Sequence, residues 1–369
     1  MLSLAPLRRN LEAAVRDLGS RRPAIRAEAV RDLVEHAEAA RERVIQALQG
    51  ALQRDGEGSV RAEAALALAD IHAVEALPAL LVAVEDEDAY VRQMSVAALG
   101  EVGDPRATVR LTRALKDQRP EIRFQAVIAF PRVCREREEI FEALLEATRD
   151  EDALVCHIAL RMIEEVGSRS APEETPASQQ DVRTGLADLP AEALERAHAL
   201  LQHASARVRT AAAVLLARAG EGEDAKVCAG LAEVASGKLE GADREDEAAA
   251  IELCGELGVK GARRALERRA FGGVLGFGRD PLFWHARVAL ARMGDARAEK
   301  EILRELRAGD RDRRTLAVAA ASRARLLSAK PVLLSMRGDA RLADPEAVEE
   351  ALGVLSSTAG SSTAGSVPE

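Results

Sequence analysis

Glu85-Asp86-Glu87-Asp88-Ala89-Tyr90-Val91-Arg92-Gln93-Met94-Ser95-Val96-Ala97-Ala98-Leu99-Gly100-Glu101-Val102-Gly103-Asp104-Pro105 decides how this chain folds. The acidic run at 85–88 suits the positive end of a helix dipole and supplies an N-terminal cap. Val91, Met94, Ala98, Leu99 and Val102 then share one helical face. Gly103 permits a left-handed cap, and Pro105 cannot continue the helix. A second helix follows, with Ala107, Leu111, Ala114 and Leu115 turned inward. Lys116-Asp117-Gln118-Arg119-Pro120 makes the next turn.

The same plan recurs on both sides. Asp, five residues, then Arg appears at Asp55 to Val60-Arg61, Asp86 to Val91-Arg92 and Asp117 to Ile122-Arg123, and these arginines are 31 residues apart. A fixed period of that length means stacked supersecondary units rather than one closed globule. The expected fold is all-α: an α-α superhelix, a right-handed α-solenoid of helix pairs. Val60 to Ile71 and Leu77 to Val84 form one pair. Ile122 opens another, whose second helix is Glu139 to Thr148 and whose first is shortened or kinked by Pro131. Ile25-Arg26 marks a degenerate early repeat. Asp150 starts a further one in which Cys156 replaces the arginine.

The rhythm breaks between Glu165 and Gln180, a polar stretch bearing Pro172 and Pro176. The expected organisation is therefore N-terminal repeats over 1–167, a linker or loop over 168–190, degenerate C-terminal repeats over 191–355 and a disordered low-complexity tail over 356–369. Ser-Ser-Thr-Ala-Gly, written twice from Ser356, cannot bury a core.

Apolar residues are 47% of the 369, yet aromatics are only 2%. Ala, Leu and Val must build the core, and Ala and Leu are strong helix formers. The net charge of −9 argues against a general nucleic-acid binder, which needs clustered cations to neutralise phosphate. No run reaches membrane-spanning length and the N-terminal apolar stretch is too short for a signal peptide, so the expected setting is cytoplasmic, without membrane insertion. Arg outnumbers Lys, and Asn occurs once, at Asn10, which points to a GC-rich bacterial genome.

Val60-Arg61 before an Ala-rich helix, and Val91-Arg92 with Ala97-Ala98-Leu99-Gly100 and Gly103-Asp104-Pro105, resemble the HEAT-like repeat of the phycobilisome-lyase type. The resemblance is good over 54–167, moderate over 205–235 and 280–336, and weak elsewhere. It implies a HEAT-repeat α-solenoid (armadillo-like). It also implies that the recurrent arginine pairs with the aspartate of a neighbouring turn, so that Asp55, Arg61, Asp86, Arg92, Asp117 and Arg123 form a structural ladder. Relatives in this fold include adaptors, regulatory subunits and a few enzymes.

One enzymatic relative, deoxyhypusine hydroxylase, needs His-Glu pairs as di-iron ligands. His36, His72, His157, His198, His203 and His285 are the only histidines and none precedes a glutamate. A bilin lyase or isomerase would use thiol and imidazole chemistry, and Cys156-His157 is the only such adjacent pair. Cys134, Cys228 and Cys254 are scattered, with no CxxC. Gly272 to Gly278 is Gly-rich but lacks P-loop or dinucleotide spacing. No catalytic residue, metal site or cofactor is expected.

Half of all the aromatic residues fall in one segment: Phe271, Phe277, Phe283 and Trp284. They either fill space at an irregular repeat or project as a partner-binding loop. The sequence reading is a non-catalytic scaffold or adaptor that offers a concave surface of second helices to a protein partner. The alternative is a bilin-handling lyase or isomerase of the same fold.

Overall fold

The computed structural model describes residues 9–168, 186, 189–272, 280–308 and 310–361, with side chains to 357. Among the described residues there are twenty α-helices and no strand. Chain packing separates two compact units, Met1–Ile163 and Glu164–Glu369. Most of the 168–190 segment, and 362–369 of the expected tail, lie outside the described residues.

In the first unit the helices are α1 (Leu11–Asp17), α2 (Pro23–Val34), α3 (Ala37–Arg54), α4 (Gly58–Asp70), α5 (Leu77–Ala83), α6 (Ala89–Val102), α7 (Thr108–Ala114), α8 (Pro120–Val133), α9 (Arg137–Ala147) and, up to Ile163, α10 (Ala153–Ser168). The capping logic is visible at α6. Asp88 accepts from the Tyr90 and Val91 N–H groups, Gly103 ends the helix at φ +68°, and Asp104 caps the turn that opens at Pro105. Pro131 sits in the last turn of α8, which stops two residues later at Val133.

First helices pack in a row, α2 on α4, α4 on α6 and α6 on α8. Small side chains permit the close approach: Ala64, Ala65, Ala98 and Ala126 are fully buried. Gly100 is required at one crossing, since a Cβ there would lie 2.7 Å from the Ala129 Cβ. Second helices complete the core with Leu48, Leu80, Leu111 and Leu144, all fully buried. They are short, α5 and α7 spanning seven residues each.

The second unit continues with α11 (Ala191–Leu200), α12 (Ala206–Leu216), α13 (Ala225–Ala235), α14 (Arg244–Glu256), α15 (Arg263–Phe271), α16 (Phe283–Arg292), α17 (Ala296–Ala308), α18 (Arg311–Arg323), α19 (Lys330–Met336) and α20 (Pro345–Ser361). Here α14 packs on α16 and α18 on α20. Gly255 matches Gly100: a Cβ would come within 2.4 Å of the Ala289 Cα. The backbone of α20 continues past Leu355 to Ser361.

Candidate functional site

The repeated Asp and Arg build a ladder along the first-helix ends of unit one. Arg61 Nε and Nη2 donate to the two carboxylate oxygens of Asp86 at 2.9 and 2.7 Å. Its Nη1 donates to the Asp55 carbonyl at 3.0 Å. Each arginine thus clamps its own turn by a carbonyl and the following turn by a carboxylate. Arg92 repeats this with Asp117 at 3.2 Å and the Asp86 carbonyl at 3.0 Å. Arg123 does so with Asp150 and the Asp117 carbonyl. Arg26 starts the series on Asp55. The aspartates work twice, because Asp55, Asp86, Asp117 and Asp150 also accept the N–H two residues on.

Burial alone would raise the carboxyl pKa of Asp55, Asp86 and Asp150. The arginine fork, that backbone N–H and, at Asp55 and Asp86, a second guanidinium outweigh it and hold the three below the ordinary aspartate value. At Cys156 the arginine slot changes character: the buried thiol donates to the Thr148 carbonyl at 3.1 Å. In unit two the turn before Val208-Arg209 has His203 in the aspartate position. Its Nδ1 accepts from the Ser205 N–H at 3.1 Å, and Arg209 Nη1 donates to the His203 carbonyl at 2.7 Å.

These pairings satisfy the charges rather than converge them on a substrate. Among the described residues no group of three or more His, Cys, Asp and Glu could hold a metal ion. Cys156 and His157, the adjacent thiol and imidazole, are both buried. Cys254 is buried deeply enough that desolvation, aided by Cys228, pushes its thiol up to about 12. A 690 Å³ depression in unit two is lined by Gly255, Glu256, Arg292, Glu299 and the 324–328 turn, but Arg292 is ion-paired with Glu256. Beside it Glu252 accepts from His285 Nδ1 at 2.6 Å and Arg323 at 2.7 Å. Burial pushes Glu252 up, and these partners with Arg292 more than reverse it.

The aromatic segment is anchored by arginines. Phe271 closes α15 with the Arg297 guanidinium 4.0 Å above its ring. Phe283 and Trp284 open α16 with centroids 5.3 Å apart. The buried Arg287 stacks 5.0 and 5.3 Å from those two rings, and its Nε donates to the Ala270 carbonyl. Arg269, also buried, pairs with Glu247 and Asp280. Phe271, Phe283 and Trp284 are half-buried, so part of each ring faces solvent and part is held by a cation. Phe277 lies outside the described residues.

A different apolar feature emerges in unit one. Gln93 of α6, Pro120, Glu121, Phe124 and Gln125 of α8, and Asp152 and Leu154 at the start of α10 line a 250 Å³ groove. Tyr90 and Leu154 occupy the same place in their repeats, directly before Val91 and Val155, and are 49% and 50% exposed. The groove lies on first helices, whereas the sequence reading placed the partner surface on second helices. Two-turn helices such as α5 and α7 offer little continuous face, although Val82 and Val109 on them are also exposed. No periodic signal marked the groove, because its lining comes from side chains about 30 residues apart that differ between repeats.

Stacked helix pairs with a shared polar ladder define an all-helical repeat protein. Residues 45–131 match a family model described as HEAT repeats, and the chain is a HEAT-repeat solenoid in fold class. No curated protein matches the sequence. Among solved structures, YibA of E. coli is 16% identical, with 78% of this chain and 93% of that one covered, at a TM-score of 0.51. A mutant of Kap121p is 16% identical over 95% of this chain and 40% of its own, at 0.49. The CpcE and CpcF complex of phycocyanin lyase from a Nostoc species is 16% identical over 81% and 96%, at 0.33. At such identities the likeness concerns fold alone.

Among the described residues no helix is long and apolar enough to cross a membrane.

Proposed function

We propose that this protein is a non-catalytic scaffold or adaptor that holds a protein partner on the exposed face of its stacked helices, in a bacterial cytoplasm. One observation carries the reading. The ionisable side chains of the repeats are tied to one another in the Arg26-to-Asp150 ladder, while Tyr90 and Leu154 keep apolar surface exposed and Phe124 and Leu154 line a groove. Side chains committed to each other stabilise shape, and shape with apolar anchors is what an interaction surface uses. The net charge of −9 favours a protein partner over a nucleic acid.

The test is affinity capture from the native host, comparing the wild-type protein with a Tyr90→Asp, Leu154→Asp double variant of equal helicity. A protein retained near unit stoichiometry by the wild type and lost by the variant supports the scaffold. Equal retention by both overturns it. A visible absorption band from a bound tetrapyrrole in the purified protein would favour the pigment-handling reading instead.

A further inference from the structure

The groove across α6, α8 and α10 has a rim of one charge, and that rim selects an occupant. Glu121 and Asp152 line it directly. Glu151 projects from the turn that leads into α10, 91% exposed. It stands 3.9 Å from the ladder guanidinium of Arg123, whose charge is already met by Asp150. Asp152 accepts the Leu154 and Val155 N–H groups with one oxygen, which leaves its other oxygen for the rim. Arg119, in the turn before α8, is exposed, and Glu121, Glu151 and Asp152 outnumber it.

The apolar part of the lining is Phe124 and Leu154 with Pro120. An apolar floor with an acidic rim is complementary to a segment that presents apolar anchors on one side and Lys or Arg on the other. An acidic or neutral segment would bring like charges together or leave the rim unmatched.

Building on the scaffold reading, we infer that the α6–α8–α10 groove docks a cationic amphipathic segment of a partner protein, its aliphatic or aromatic side chains on Phe124 and Leu154 and its Lys or Arg side chains against Glu121, Glu151 and Asp152. The ladder fixes the spacing of the three helix starts, so the groove is preformed. Opposite charge at the rim speeds association and makes binding salt-dependent.

The experiment uses the full chain and a fluorescein-labelled 18-residue peptide with Leu at helical i, i+3, i+4, i+7 spacing and Lys elsewhere, read by fluorescence anisotropy. A second peptide has Glu in place of every Lys. The wild type binds the Lys peptide at least about tenfold more tightly than the Glu peptide, and weakens several-fold between 0.05 and 0.5 M salt, as screening shortens. Glu121→Lys with Glu151→Lys, and separately Leu154→Asp, each weaken the Lys peptide by about tenfold, with the helical circular dichroism unchanged. Lys-peptide binding that neither variant alters, equal binding of the two peptides, or no binding at all overturns the docking proposal. The scaffold reading fails on a different result, native-partner capture that the Tyr90 and Leu154 double variant leaves unchanged.

Discussion

Arg123 closes on Asp150 through two nitrogen–oxygen contacts of 2.7 Å, and the next arginine position holds Cys156, whose thiol turns back to the Thr148 carbonyl instead. The ladder therefore has a defined end. Four guanidiniums, from Arg26 to Arg123, each join one repeat's turn to the next. Such a bridge acts across the repeat interface, where nearest-neighbour coupling sets the stability of a solenoid.

Removing one rung leaves its partner half-buried and unmatched. Arg61→Ala is expected to destabilise unit one by about 1–3 kcal/mol. Arg61→Lys recovers little of that, because an ammonium cannot fork to both oxygens of Asp86 while holding the Asp55 carbonyl. Urea unfolding followed by far-UV circular dichroism measures both. A lysine variant as stable as the wild type would mean that charge alone suffices.

The ladder also sets a pH dependence. Asp55, Asp86 and Asp150 have depressed carboxyl values in the folded state, against about 3.9 for an unfolded aspartate. Their contribution is present above the unfolded value and is lost as pH falls through the folded ones. Thermal midpoints are expected to be flat with respect to these groups near neutrality and to drop below about pH 4. Asp86→Asn flattens part of that drop. An identical acid profile in that variant would remove Asp86 from the explanation.

Glycines at the helix crossings separate packing from propensity. Gly100→Ala and Gly255→Ala drive a Cβ to 2.7 Å from Ala129 and 2.4 Å from Ala289, an overpacking worth about 1–3 kcal/mol of lost stability. Gly353→Ala, inside α20 with nothing within 4 Å of the added Cβ, instead gains about 0.5–1 kcal/mol. Opposite signs in denaturant midpoints are the expected outcome, and a shared sign would refute the close-approach account.

Cysteine labelling reports burial directly. Cys254 has a thiol pushed up to about 12, and Cys156 is fully buried. Both are expected to resist iodoacetamide at pH 8 in the native protein and to react on unfolding, with Cys228, the partly exposed thiol, labelled first. Mass spectrometry of tryptic peptides gives the order. Rapid native labelling of Cys156 would reopen thiol chemistry at Cys156-His157.

Much of the architecture was legible because it repeats. Asp86, Val91, Arg92, Leu99, Gly103 and Pro105 each carry a local rule, so α6 falls where its caps and apolar face place it, at Ala89–Val102. The rung direction was less visible. Within the motif Asp55 precedes Arg61, but Arg61 takes only the Asp55 carbonyl and gives its fork to Asp86. Sequence spacing shows which residues recur, and the offset between stacked repeats decides which of them meet.

The aromatic residues illustrate the other limit. Phe271, Phe283 and Trp284 stand out by composition, and Arg287 stacks on Phe283 and Trp284 from one turn along α16 itself, but the Arg297 over Phe271 comes from a separate helix, α17. The amino-acid sequence by itself determined the helices, their caps, the period and the small-residue rows, because those rest on contacts within about four residues or on a strict repeat. Only the tertiary structure decided the pairing of rungs and the acid-rimmed groove of Phe124 and Leu154, because each joins side chains from separate helices whose adjacency is set by how closely Gly100 and Ala129 allow those helices to approach.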